Sequence, residues 1–233
     1  MWSGRPSLSN VRCLTALTFA FTLVPVSVLA QPDTRLFAGG LFGVSTLSAD
    51  GRSVTAGGDA ALSLYKPENG RALNVFAGVH LAEYFSVQAN WMWNRNDLTL
   101  VSSFATPRGG GFYEQRRHSR QHALVLDGLI YFRRRDSAVR PYLGTGLSWL
   151  QFASDDIVSE TRQGLDPPPR RISSSRIGLR SHVGIDVRLS HRLTFRYSFS
   201  ETISSNPISP SLTPPAPRRL ANFQNLFGFA ARF

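Results

Sequence analysis

Few residues in this chain have the types and spacing that chemistry needs. Its histidines are His80, His118, His122, His182 and His191. His182 shares a strand face with Asp186, but four residues along a strand put them about 13 Å apart, too far for a proton relay by themselves. His118 precedes Ser119, a base beside a nucleophile, yet adjacent residues on a strand point to opposite faces. Gly144-Thr145-Gly146 lacks the third glycine and the following helix of a dinucleotide loop. No Cys/His spacing suggests a metal site. With no nucleophile and base in workable geometry, the expectation is a protein that is not an enzyme and takes no cofactor.

The charged residues offer pairing instead. The clearest periodicity runs from Arg176 to Leu189, where nearly every odd position is aliphatic and the even ones are Arg, Gly, His or Asp. A period of two over such a length is a strand with one apolar and one polar face. The same alternation predicts strands near 35–44, 71–81, 85–94, 122–132, 141–152, 175–189, 193–201 and 222–233. The segments 60–65 and 98–104 read as upward extensions of hairpins rather than as two further strands. The links alternate long and short without exception, which a soluble sandwich has no reason to do and an outer-membrane barrel does. Polarity agrees. With the aliphatic face toward lipid, Asp127, Arg176, Arg180, His182, Asp186, Arg188 and Arg196 fall inside and form a polar network, because eight strands leave an interior just wide enough for side chains. Two carboxylates are too few for the arginines, so glutamine, water and backbone must complete it. Fold class is therefore all-β: a closed eight-stranded antiparallel up-and-down transmembrane β-barrel, its first strand hydrogen-bonded to its last because lipid cannot satisfy a sheet edge. Trp91, Trp93, Tyr142, Trp149 and Tyr197 are candidates for interfacial girdles.

The first thirty residues read as an export signal: Arg5 and Arg12, an uncharged run from Cys13 to Ala30, and small residues before Gln31-Pro32. The expected organisation is a signal peptide at 1–30 and a barrel domain at 31–233. The lone cysteine, Cys13, leaves with the signal, so no disulfide framework is available. Downstream no apolar stretch reaches the 18 residues of a spanning helix.

Arg140-Pro141-Tyr142-Leu143-Gly144-Thr145-Gly146-Leu147-Ser148-Trp149 and the closing stretch, in which Phe223, Phe227, Phe229 and Phe233 share one face, carry a family resemblance. From residue 31 to 233 the chain resembles the small eight-stranded outer-membrane barrels related to the transmembrane domain of OmpA. The resemblance implies a location in the outer membrane of a Gram-negative-type bacterium. It also implies that Phe229 and Phe233 resemble the signal read by the barrel-assembly machinery. The peptidoglycan-binding domain of full-length OmpA-like proteins is not expected to follow.

The chain holds 26 Lys and Arg against 15 Asp and Glu, but export argues against nucleic acid as the partner. The expected partners are outer-membrane lipids and lipopolysaccharide, whose phosphates Arg108, Arg116, Arg117 and Arg120 of the second external loop could meet through charge-assisted hydrogen bonds. Arg133-Arg134-Arg135 would face phospholipid headgroups at the periplasmic side. Gly109-Gly110-Gly111, Pro167-Pro168-Pro169 and Pro214-Pro215 mark external loops, where a surface ligand would be recognised. The function read from the sequence is structural or surface-interacting, for membrane integrity. The alternatives are a small porin-like channel and, behind it, a lipid A-modifying barrel.

Overall fold

The computed structural model describes residues 35–49, 60–66, 68–106, 109–162, 169–208 and 219–233. Thr34–Phe233 make a unit of their own; the expected signal segment and Arg108 lie outside the described residues. Nine strands follow in order: β1 Leu36–Ala49, β2 Ala60–Lys66, β3 Glu68–His80, β4 Phe85–Thr106, β5 Gly109–Tyr131, β6 Val139–Arg162, β7 Arg171–Arg188, β8 Leu193–Ser205 and β9 Arg219–Arg232. β2 and β3 are two stretches of one span. Both pair antiparallel with β4, β3 from His80↔Ser86 to Gly70↔Asn96 and β2 onward from Lys66↔Thr99 to Ala60↔Ala105. Eight antiparallel spans therefore form a ring, closed where β1 pairs with β9 from Phe37↔Arg232 to Ala49↔Leu220.

Burial is inverted relative to a soluble protein. Ile177 is 77% exposed and Leu147 66%, while Arg180 and Asp127 are 1% exposed. A soluble ligand-binding barrel would turn the aliphatic face inward; here it forms the outer wall, as lipid requires. Phe229 and Phe233 stand on this outer face. At the closing seam the Phe42 and Phe227 rings meet edge-on with centroids 4.4 Å apart. A polar pair on this wall near the seam satisfies itself, Tyr197 Oη donating to Asn225 Oδ1 at 2.9 Å.

Three short turns, 81–84, 132–138 and 189–192, lie at the end of the ring where β1 begins and β9 ends. At the other end the wall is uneven. β4, β5 and β6 run 22, 23 and 24 residues, against 13 and 14 for β8 and β9. Spanning takes about 9–11 residues, so the excess stands outside the bilayer. The sequence reading ended its third strand at residue 94 and began its fourth at 122, with a loop between. The structure instead continues the ladder to Thr106↔Gly109. The reason is that the apolar face stops where lipid stops, while the backbone goes on pairing; inward Leu98, Leu100 and Tyr113 keep the period of two. The stretches 60–65 and 98–104 are hairpin extensions, as the alternation of links implied.

The seam supplies a test that uses one chemical change twice. A Cβ at Gly228 would lie 2.9 Å from Leu41 Cα and clash with the Gly40 carbonyl oxygen, whereas a Cβ at Gly40 meets only the Asn74 carbonyl oxygen at 4.0 Å. Gly228→Ala should cost about 1–3 kcal/mol through overpacking and lower the temperature at which the folded barrel loses its faster gel mobility. Gly40→Ala should leave that temperature unchanged.

Candidate functional site

The lumen is built by strand register. Asp127 on β5 faces Gly146 on β6, and Gly146 faces Arg180 on β7. Having no side chain, Gly146 lets Arg180 reach across β6, and Arg180 Nη1 donates to Asp127 Oδ2 at 2.5 Å. A Cβ at Gly146 would strike the Asp127 carboxylate. Gly144 stands opposite His182 in the same way, and His182 Nε2 lies 3.3 Å from Asp127 Oδ2. Asn90 Nδ2 donates to the same oxygen at 2.9 Å.

A second centre lies nearer the short-turn end. Asp186 and Arg196 face each other across β7 and β8, and the guanidinium grips the carboxylate with Nε and Nη2 at 2.6 and 2.7 Å. Arg196 also donates to Gln88 Oε1 at 3.0 Å and to Tyr131 Oη at 2.9 Å, and sits 4.7 Å from the Phe76 ring centroid. Such bidentate, aromatic-flanked pairing lets charge be buried. Gln88 touches both centres, since its Nε2 lies 3.4 Å from Asp127 Oδ2.

Five of the seven residues assigned to the lumen network meet there: Asp127, Arg180, His182, Asp186 and Arg196. Arg176 and Arg188 keep the inward phase but are exposed. Arg176 lies beyond Gly178↔Ser204, where β8 stops covering β7, and Arg188 is the last residue of β7. Sequence reasoning missed Gln88, Asn90 and Tyr131 as members, and with them Arg140, whose guanidinium lies 3.8 Å from the Tyr131 ring centroid. Tyr142 was expected in a girdle and is instead 2% exposed in the lumen, its ring 5.6 Å from that of His182. It shares the phase of Gly144 and Gly146, opposite to Leu143 and Trp149, and that phase was the signal that could have found it. Gly184, its partner on β7, leaves it room.

Above the charged centres the lumen stays filled. Asn222 Nδ2 donates to Gln121 Oε1 at 2.9 Å, and Ser45 Oγ donates to Asn96 Oδ1 at 3.0 Å. Leu47, Leu98, Leu100, Tyr113, Phe152 and Leu220 then form an apolar layer, covered by the fully buried Ile208 from the segment after β8. Arg117, expected on a loop facing lipopolysaccharide, points into this upper lumen and is fully buried; it donates to Gln115 Oε1 at 2.5 Å and to Ser154 Oγ at 3.0 Å. Arg116 and Arg120 are exposed on the outer wall. His118 and Asp97 also pair there, while Ser119 points inward and donates to the Asn96 carbonyl at 3.0 Å. The neighbours His118 and Ser119 thus face opposite sides of the wall.

A ring of strands, apolar outside and charged inside, is what an outer-membrane protein needs, and residues 16–216 match the family described as Outer membrane protein beta-barrel domain. The chain belongs to that family. Like its other members, this outer membrane beta-barrel protein lies in the outer membrane. Similar solved structures include Neisserial surface protein A, NspA (TM-score 0.53, 13% identity, covering 85% of this chain and 97% of that one). OprG from Pseudomonas aeruginosa has a TM-score of 0.48 at 15% identity, covering 86% and 96%. Ail of Yersinia pestis, solved with the heparin analogue sucrose octasulfate, has 0.44 at 11%, covering 85% and 99%. Likeness at these identities speaks to fold alone. No curated protein matches the chain.

Removing one member of a buried ion pair leaves the other charged and unpartnered, at a cost of roughly 3–5 kcal/mol. Asp127→Ala, which strands both Arg180 and His182, should lower the urea midpoint of the purified barrel accordingly. Asp155→Ala, which breaks the exposed Arg120–Asp155 contact of 3.3 Å, should cost under about 1 kcal/mol.

Proposed function

We propose that this is a non-enzymatic, non-conducting barrel of the outer membrane, exported by a signal at 1–30 and cleaved ahead of the 31–233 barrel domain. Its role is structural or surface-interacting. The observation that carries this reading is the filled lumen: two buried ion-pair centres linked by Gln88, with an apolar layer and Ile208 above them. An ion crossing it would have to break buried charge-assisted hydrogen bonds. Function then belongs to the outer surface, where β4–β6 rise above the bilayer and the barrel meets lipid, lipopolysaccharide or molecules outside the cell. Phe229 on the last strand and Phe233 just past its end, both outward, suit a role in recognition by the barrel-assembly machinery during insertion.

The alternative kept open by the polar lining is a narrow pore. Protein purified from outer membranes and inserted into planar bilayers should be electrically silent while its gel mobility shows it folded. Discrete conductance steps changed by Arg180→Ala or Arg196→Ala would make the lumen a pathway. Lipid A from expressing cells should keep its acyl chains; a lost or added chain in its mass spectrum would make the barrel an enzyme.

A further inference from the structure

We infer that Arg71, Arg95 and Arg120 form a phosphate-binding row on the outer wall, which takes the phosphorylated headgroup of an outer-leaflet glycolipid. The row comes from register. Arg71 on β3 pairs with Arg95 on β4, and Arg95 pairs with Arg120 on β5, so three guanidiniums stand on adjacent strands with Cβ atoms about 5 Å apart at each step. All three are exposed. Like charges directly opposite one another destabilise a sheet, and compensation from the protein is slight. Arg120 has Asp155 at 3.3 Å, both half exposed. Among the described residues no carboxylate lies in ion-pair reach of Arg71 or Arg95. Asp97, the next outward residue after Arg95, is held by His118. An anion bridging the row would offset the repulsion through charge-assisted hydrogen bonds.

Position selects a lipid as the source of that anion. The next outward residues toward the bilayer are Leu73, Trp93 and His122, then Val75, Trp91 and Leu124. The guanidiniums thus sit where the apolar wall ends and headgroups begin, above interfacial tryptophans. A groove of about 580 Å³ opens at this level, bordered by Val44, Arg71, Trp93, Arg95, Asp97 and His118. It can seat a sugar phosphate while acyl chains run down over Val44 and Val75. This differs from the loop contact expected from sequence, since Arg117 is inside the barrel. It rests on the surface reading above only in requiring that the long-strand end face the outer leaflet.

The test is native mass spectrometry of the full-chain product purified from outer membranes, stripped of lipid, and offered lipid A with two phosphates, dephosphorylated lipid A, or inorganic phosphate. The wild type should hold the phosphorylated lipid and not the dephosphorylated one. The triple variant Arg71→Gln, Arg95→Gln, Arg120→Gln should hold about tenfold less, a loss of one or more charge-assisted contacts. Arg133→Gln with Arg134→Gln, at the short-turn end, should bind as wild type. If the triple variant fails to fold, Arg95→Gln alone decides by the same comparison. Equal binding by the variant, equal binding of dephosphorylated lipid, or capture of inorganic phosphate without the lipid would overturn the proposal. None of these outcomes bears on whether the lumen conducts.

Discussion

Lipid offers no partner to a backbone N–H or C=O, and the rest of this structure depends on that constraint. It forces eight spans into a ring and makes the β1–β9 seam, between residues nearly two hundred apart in the chain, as necessary as any local hairpin. Closure then fixes the interior. A ring of eight strands has room for side chains and little else, so an inward residue flanked by paired strands on both sides is a core residue whatever its polarity. The inverted burial of Ile177 and Arg180 is the outcome.

The interior meets this demand by dividing it among layers. Near the short-turn end Arg196 and Asp186 lie among Phe37, Phe76, Tyr131 and Tyr142. Asp127, Arg180 and His182 follow, then amides and hydroxyls, then an apolar cap. Glycines make the layers fit. Gly144, Gly146 and Gly184 each stand beside a bulky or charged side chain on the neighbouring strand, which fills the space that their own side chains would have taken.

The outside divides differently. Within the bilayer the wall is aliphatic and aromatic; above it the same strands carry Arg71, Arg95, Asp97, His118 and Arg120 outward. The tall side, β4 to β6, therefore presents to the outer headgroups and the medium a continuous hydrogen-bonded surface rather than loops. A rigid wall holds charges in fixed register, which is what separates a row of arginines from a merely basic segment.

Much of this was legible in the sequence by itself. Period-two alternation assigned strands and faces, alternating link lengths gave the barrel its orientation, and the demand for closure paired the first strand with the last. The inward phase of Asp127, Arg180, His182, Asp186 and Arg196 followed from the same alternation. Tyr142 and Arg117 were misassigned although their phase was present in the sequence, because one was read as an interfacial aromatic and the other as part of a loop. Only the tertiary structure decided which inward residues meet. Gln88 joining two ion pairs, Gly146 opening a path for Arg180, the exposure of Arg176 and Arg188, and three arginines in one row all depend on cross-strand register. Alternation fixes which face a side chain takes, but its neighbour across the sheet is set by long-range pairing, where shifting a strand by two residues preserves every face and changes every partner.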